Sequence, residues 1–138
     1  MKACVLFVSR TGNTKRSAES IAGLFEAPLF DLASNRDPSL VSNCDLLIIG
    51  TPVMGLGPAP EVNSFVKRLP EGKGKKTILF CTYAIKQGGT LSTLERELTA
   101  KGYSNVLSVS KRGLKPGEAD FEEILEAIRK AVAQVEHS

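Results

Sequence analysis

Ser9, Arg10, Thr11, Gly12, Asn13 and Thr14 put three hydroxyls, a cation and a glycine into six consecutive residues. A run of this kind can grip an oxyanion. The hydroxyls donate hydrogen bonds, and the glycine lets the backbone close around the anion with no Cβ in the way. The flanking residues give the run its position. Ala3 to Val8 is apolar throughout and reads as a buried strand, whereas Ala18, Ile21, Ala22 and Phe25 fall at the period of a helix with one buried face. Strand, hydroxyl-bearing turn and helix N-terminus together make an anion site, because the unpaired N–H groups and the dipole of the helix converge there. The expected ligand is a terminal phosphate monoester.

Other chemistry finds few residues to work with. The sole histidine is His137, the penultimate residue, and no metal set or triad can be built on it. Cys4, Arg10 and Thr11 match the Cys-x5-Arg-Thr spacing of a phosphatase. However, Cys4 lies inside the strand, with Val5 to Val8 between it and the turn, and Ser9 stands where a nucleophilic cysteine belongs. A receiver domain needs an acidic pair after the first strand and an aspartate ending the third. Ser9-Arg10 and Gly50-Thr51 exclude it. No catalytic residue is assigned, and any chemistry is expected to come from a cofactor.

The chain has 138 residues, 42% hydrophobic and 24% charged, with a net charge of +3. This is the balance of one domain over 1–138, large enough to bury a core without staples. No apolar run approaches the ~20 residues that span a bilayer. The small basic clusters, Lys73-Lys75-Lys76 and Lys111-Arg112, lack interleaved aromatics, so neither a nucleic-acid nor a membrane partner is expected. The start carries no cleavage pattern, and Cys4, Cys44 and Cys81 show no paired spacing, which points to buried thiols in the cytoplasm.

The elements that must carry the anion loop alternate regularly. Short second-strand sequence at Ala27–Leu32 follows the first helix, and Asn35–Asn43 reads as a loop with one helical turn. Asp45–Gly50 is apolar on both faces and belongs at the centre of a covered sheet. A loop from Thr51 to Pro60 leads to a helix ending at Leu69, and Thr77–Tyr83 is the fourth strand. Gln87-Gly88-Gly89-Thr90 forms a loop and N-cap before a helix that stops at Gly102. Val106–Val109 is the fifth strand, and Asp120 to about Val135 is the last helix. Five strands with intervening helices imply a parallel sheet covered on both faces, in a three-layer α/β sandwich.

Ser-x-Thr-Gly-Asn-Thr directly after the first strand resembles the phosphate-binding loop of flavodoxins, which hold flavin mononucleotide (FMN). The resemblance implies strand order 2-1-3-4-5 and a ligand at the carboxyl ends of the strands, where the winding reverses. Three loops meet there, after strands 1, 3 and 4. The resemblance assigns Ser9, Arg10, Thr11, Gly12, Asn13 and Thr14 to the phosphate. It lays the flavin ring on Thr51, Pro52, Val53, Met54, Gly55, Leu56 and Gly57, with Gly55 or Gly57 supplying a peptide that turns toward flavin N5. Thr82, Tyr83, Ala84, Gly88 and Gly89 cover the other side, with Tyr83 placed to stack on the ring. The loop Gly50–Gly55 is similar also to that of flavin-dependent quinone reductases.

Two departures from the flavodoxin pattern stand out. The chain has no Trp, so Met54 or Leu56 replaces an aromatic wall, and its charge is positive where flavodoxins are acidic. The expected function is an FMN-binding electron carrier, a monomer or weak homo-oligomer. The alternative is an FMN-dependent NAD(P)H or quinone oxidoreductase. Arg10, Lys15, Arg16 and Lys86 beside the loops point to an acidic redox partner protein.

Overall fold

In the computed structural model of the protein, residues 2–10, 12–84, 87–113 and 122–136 are described. The chain runs through β1 (Ala3–Phe7), α1 (Asn13–Phe25) and β2 (Leu29–Asp31). A single 3-10 turn at Pro38–Val41 precedes β3 (Leu46–Met54) and β4 (Gly57–Pro58). Then come α2 (Pro60–Arg68), β5 (Lys76–Tyr83), α3 (Thr90–Ala100), β6 (Ser104–Arg112) and α4 (Glu122–Glu136). Five strands pair in parallel in the order β2-β1-β3-β5-β6, and the short β4 pairs antiparallel with the end of β3. This is the expected flavodoxin-like three-layer sandwich with one strand added.

The alternation along each strand sorts the core into two halves. Cys4, Leu6, Leu47, Ile49 and Leu79 face α2 and α3, packing with Val62, Phe65, Val66, Leu94 and Leu98. Their neighbours Val5, Phe7, Leu46, Ile48, Ile78 and Phe80 face α1 and α4, packing with Ala18, Ile21, Ile124 and Ile128. Strands buried on both faces have no polar alternation, hence the continuous apolar runs in β1 and β3. Lys101 Nζ donates to the carbonyls of Lys67 and Leu69, and Tyr103 Oη donates to that of Pro70. These bonds satisfy carbonyls that the end of α2 leaves open.

Several boundaries differ from expectation. β3 runs to Met54 rather than stopping at Gly50, because residues 53 and 54 gain a partner in β4. Beside Pro28, β2 shrinks to three residues. β6 is longer at both ends than Val106–Val109, paired along its length with β5 and bulged between Asn105 and Leu107. Gly89, not Thr90, occupies the N-cap of α3; Thr90 is its first residue and fully buried. The start expected for the last helix, Asp120 and Phe121, lies outside the described residues. The cysteines also differ from expectation. Cys4 and Cys44 are bonded to each other, their Cα atoms 6.0 Å apart, because β1 runs beside the entry to β3; only Cys81 is free.

Candidate functional site

The site begins at the turn between β1 and α1. Ser9 follows the strand directly, and its Oγ accepts hydrogen bonds from Gly12 N–H (3.1 Å) and Lys15 N–H (3.3 Å). Both lone pairs are thereby engaged, so the hydroxyl proton is what Ser9 can offer a ligand. Gly12 caps α1 at φ 92 and supplies no side-chain bond. The first turn of α1 contains no acid and instead carries Lys15 and Arg16. Cations at this end oppose the helix dipole, an arrangement that an anion at the cap would reverse. Asn13 and Thr14 are almost fully buried. The Thr14 and Thr82 hydroxyls are hydrogen-bonded at 2.8 Å, which ties the start of α1 to the end of β5. Thr11 lies outside the described residues.

Arg10 leaves the turn in the other direction. Its Nη2 donates to both carboxylate oxygens of Glu61, at 2.8 and 2.7 Å, in the first turn of α2. Burial pushes the Glu61 carboxyl up, but the Arg10 hydrogen bond and charge prevail and hold it below its usual range. The pair clasps the β1 loop to the segment that follows β4.

β3 and β4 form a two-residue hairpin through Gly55 and Leu56. Both have positive φ, 58° and 67°, as a type I′ turn requires. Gly57, expected to share this freedom with Gly55, has no positive φ; Leu56 takes that place, an uncommon conformation for a branched side chain. Thr51 is fully buried beneath the hairpin. Its Oγ1 donates to the Pro52 carbonyl (2.8 Å) and accepts from Ala59 N–H (2.9 Å), pinning both arms. The loop after β5 rests on the tip, where Gly89 N–H donates to the Leu56 carbonyl at 3.1 Å. Gly88 crosses so close that a Cβ there would lie 2.6 Å from the Leu56 oxygen.

These segments enclose a cleft of about 200 Å³ lined by Arg10, Asn13, Pro52, Val53, Met54, Thr82, Tyr83, Ala84 and Gly113. Eight of the nine belong to the three loops singled out in the sequence. Ser9, Gly12 and Thr14 stand in the turn and helix start beside Arg10 and Asn13, while Gly55, Leu56, Gly57, Gly88 and Gly89 build the tip and its support rather than the wall. Gly113 was missed. It follows β6, and its N–H donates to the Tyr83 carbonyl at 2.8 Å, with Arg112 Nε donating to the Ala84 carbonyl at 3.0 Å. The signal was available, since β6 ends on the same edge of the sheet as β1, β3 and β5.

The structure resembles oxidised flavodoxin 1 from Bacillus cereus, with a TM-score of 0.78 and 22% identity over 100% of this chain and 99% of that one. The Trp repressor binding protein from Bacillus subtilis gives a TM-score of 0.77 and 22% identity, covering 94% and 97%. Two-electron reduced Megasphaera elsdenii flavodoxin gives 0.73 and 24%, covering 94% and 98%. Identities this low establish the fold alone. No curated protein matches the chain at a significant level. The sequence profile described as a flavodoxin domain matches residues 4–112. That stretch runs from β1 to the end of β6 and takes in every residue lining the cleft but Gly113: the chain belongs to the flavodoxin domain family.

Proposed function

We propose that the protein binds FMN in this cleft and passes electrons between redox partners. The carrying observation is the convergence of three loops on one cleft beside a helix N-terminus that lacks an acid and bears two cations. The described donors fit a phosphate monoester: the Ser9 proton and the Thr14 hydroxyl, with Asn13 beside them and Gly12 N–H holding Ser9 Oγ in place, and the sequence adds Thr11 as a further expected donor. Thr14 can donate to the phosphate while accepting from Thr82, so the pair orients one proton toward the anion. The walls fit a flat ring. Pro52, Val53 and Met54 give one apolar side, and Tyr83 and Ala84 the other, with Thr51, Gly55, Leu56 and Gly57 shaping the hairpin and Gly88 and Gly89 bracing it. When bound, FMN supplies the capacity to take up and release one or two electrons. The residues position it and shield both faces of the ring from water.

Titrating the purified protein with FMN and with riboflavin, followed by flavin fluorescence, tests the proposal. FMN should bind at least tenfold tighter than riboflavin, the difference one charge-assisted phosphate contact supplies. Equal affinities would remove the phosphate from the loop. The second reading is an FMN-dependent NAD(P)H or quinone oxidoreductase, favoured by the exposure of Met54 at the cleft mouth, where a second substrate could reach the ring. Steady-state NAD(P)H oxidation with a quinone separates the two. Among the described residues no helix is long and apolar enough to cross a membrane.

A further inference from the structure

Among the described residues, the rim of the cleft carries exposed cations around an apolar spot. Met54 and Leu56, at the hairpin tip, are 39% and 57% exposed. Arg112 is exposed at the opposite lip and held in place by its bond to the Ala84 carbonyl, so a cation is fixed to the loop proposed to meet the ring edge. Lys111 precedes it on β6, and Lys15 is exposed in the first turn of α1. Among the described residues, Glu19 stands one turn beyond Lys15 on α1, and the cleft loops themselves add few acids. None occurs between Val53 and Pro60, and Glu61 is already bonded through both oxygens to Arg10. Glu122 lines the groove between α1 and α4 beside Ser20 and Leu24, about 10 Å or more down α1 from its cap.

Resting on the FMN reading, we propose that this face docks an acidic redox protein. Carboxylates of the partner meet Arg112, Lys111 and Lys15, and an apolar spot seats on Met54 and Leu56. The field of the rim would speed encounter and orient the partner's redox centre toward the exposed edge of the cleft. In the direction tested below, each partner molecule is oxidised by one electron. Two such transfers, with two protons taken from water, fully reduce one FMN.

The experiment uses the FMN-loaded protein under anaerobic stopped flow, with two reduced one-electron donors as probes: an acidic [2Fe–2S] ferredoxin and the cationic methyl viologen radical. Raising ionic strength from 20 to 300 mM shortens the screening length from about 20 to about 6 Å. The ferredoxin rate should fall about tenfold, and the viologen rate should rise. Lys111→Glu, compared at saturating FMN, should slow ferredoxin at least threefold at low salt and speed viologen. A ferredoxin rate that rises with salt, or ignores both salt and Lys111→Glu, would overturn the proposal while leaving FMN binding intact. Reduction of the loaded protein by NADPH within seconds would assign the same charges to a nucleotide and would also overturn it. Failure to bind FMN in the preceding titration would instead bring down the parent reading, and this one with it.

Discussion

Replacing Gly55, Gly57 and Gly88 one at a time by alanine should give three different outcomes. At Gly55 a Cβ meets nothing within 4 Å, so the only penalty is the left-handed backbone at φ 58. That costs about 1–2 kcal/mol, offset by about 0.4–1 kcal/mol from a stiffer unfolded chain, for a net loss of roughly 1 kcal/mol. Gly57 has no positive φ, and its nearest contact would be the Met54 oxygen at 3.8 Å, so alanine there should be neutral or stabilising by up to about 1 kcal/mol. Gly88→Ala meets both obstacles. Its φ is 56, and the Cβ would lie 2.6 Å from the Leu56 oxygen and 2.7 Å from Leu56 Cβ. Relief requires the loop to lift from the hairpin, breaking the Gly89 to Leu56 hydrogen bond as well, for a total of about 2–3 kcal/mol. Urea midpoints at constant m-value read the stabilities, and FMN titration reads the site. Affinity should drop most for Gly88→Ala, which separates two walls of the cleft. A Gly57→Ala protein as unstable as Gly55→Ala, or a harmless Gly88→Ala, would refute this account of the hairpin.

Thr14→Ala should weaken FMN about tenfold or more with little change for riboflavin, and should lower stability by about 1–2 kcal/mol, because it leaves the buried Thr82 hydroxyl without its partner. Glu61→Gln should be less stable than the parent at pH 7. Because the folded protein lowers the Glu61 carboxyl, its contribution is complete above the unfolded value, about pH 4.3, and disappears as pH falls through the lower folded one. The two urea midpoints should therefore converge on acidification, and parallel curves would exclude the Arg10 pair as the cause. Burial pushes the Cys81 thiol up to about 12, so Ellman's reagent at pH 8 should find no reactive thiol in the native protein. It should find one after denaturation without reductant and three once Cys4 and Cys44 are reduced; three without reductant would show that pair to be unbonded.

The layers and their order were legible because each depends on local signals. Double-faced apolar runs mark central strands, and helical spacing marks α1, α2 and α3. The anion loop was legible because strand, turn and helix start are adjacent in the chain. The hairpin was not. Gly-Leu is a poor signature for a type I′ turn, so the strand continuing to Met54 was hidden behind glycines and prolines that read as loop. The clasp between Arg10 and Glu61 joins residues far apart in sequence on segments whose approach only the closed sheet determines. The Cys4–Cys44 bond escaped for the same reason, since spacing says nothing about parallel neighbours. Gly113 lay at the end of a strand whose length was underestimated.

The parallel sheet also governs when the cleft can come into being. β1 pairs with β3 across an intervening helix and edge strand, and β3 pairs with β5 across another hairpin and helix, so each wall awaits a long loop closure. Such pairings are slow to form, and no contiguous fragment shorter than residues 10–89 contains the clasp, the hydroxyl pair and the hairpin brace together. On the FMN reading, cofactor capture is therefore a late event in the life of each nascent chain. A ligand that recognises only the finished state withdraws molecules from the unfolded pool, adding about 2.7 kcal/mol at a hundredfold excess over its dissociation constant. Cells short of FMN should accumulate less of this protein, through faster turnover of unclosed chains rather than slower synthesis.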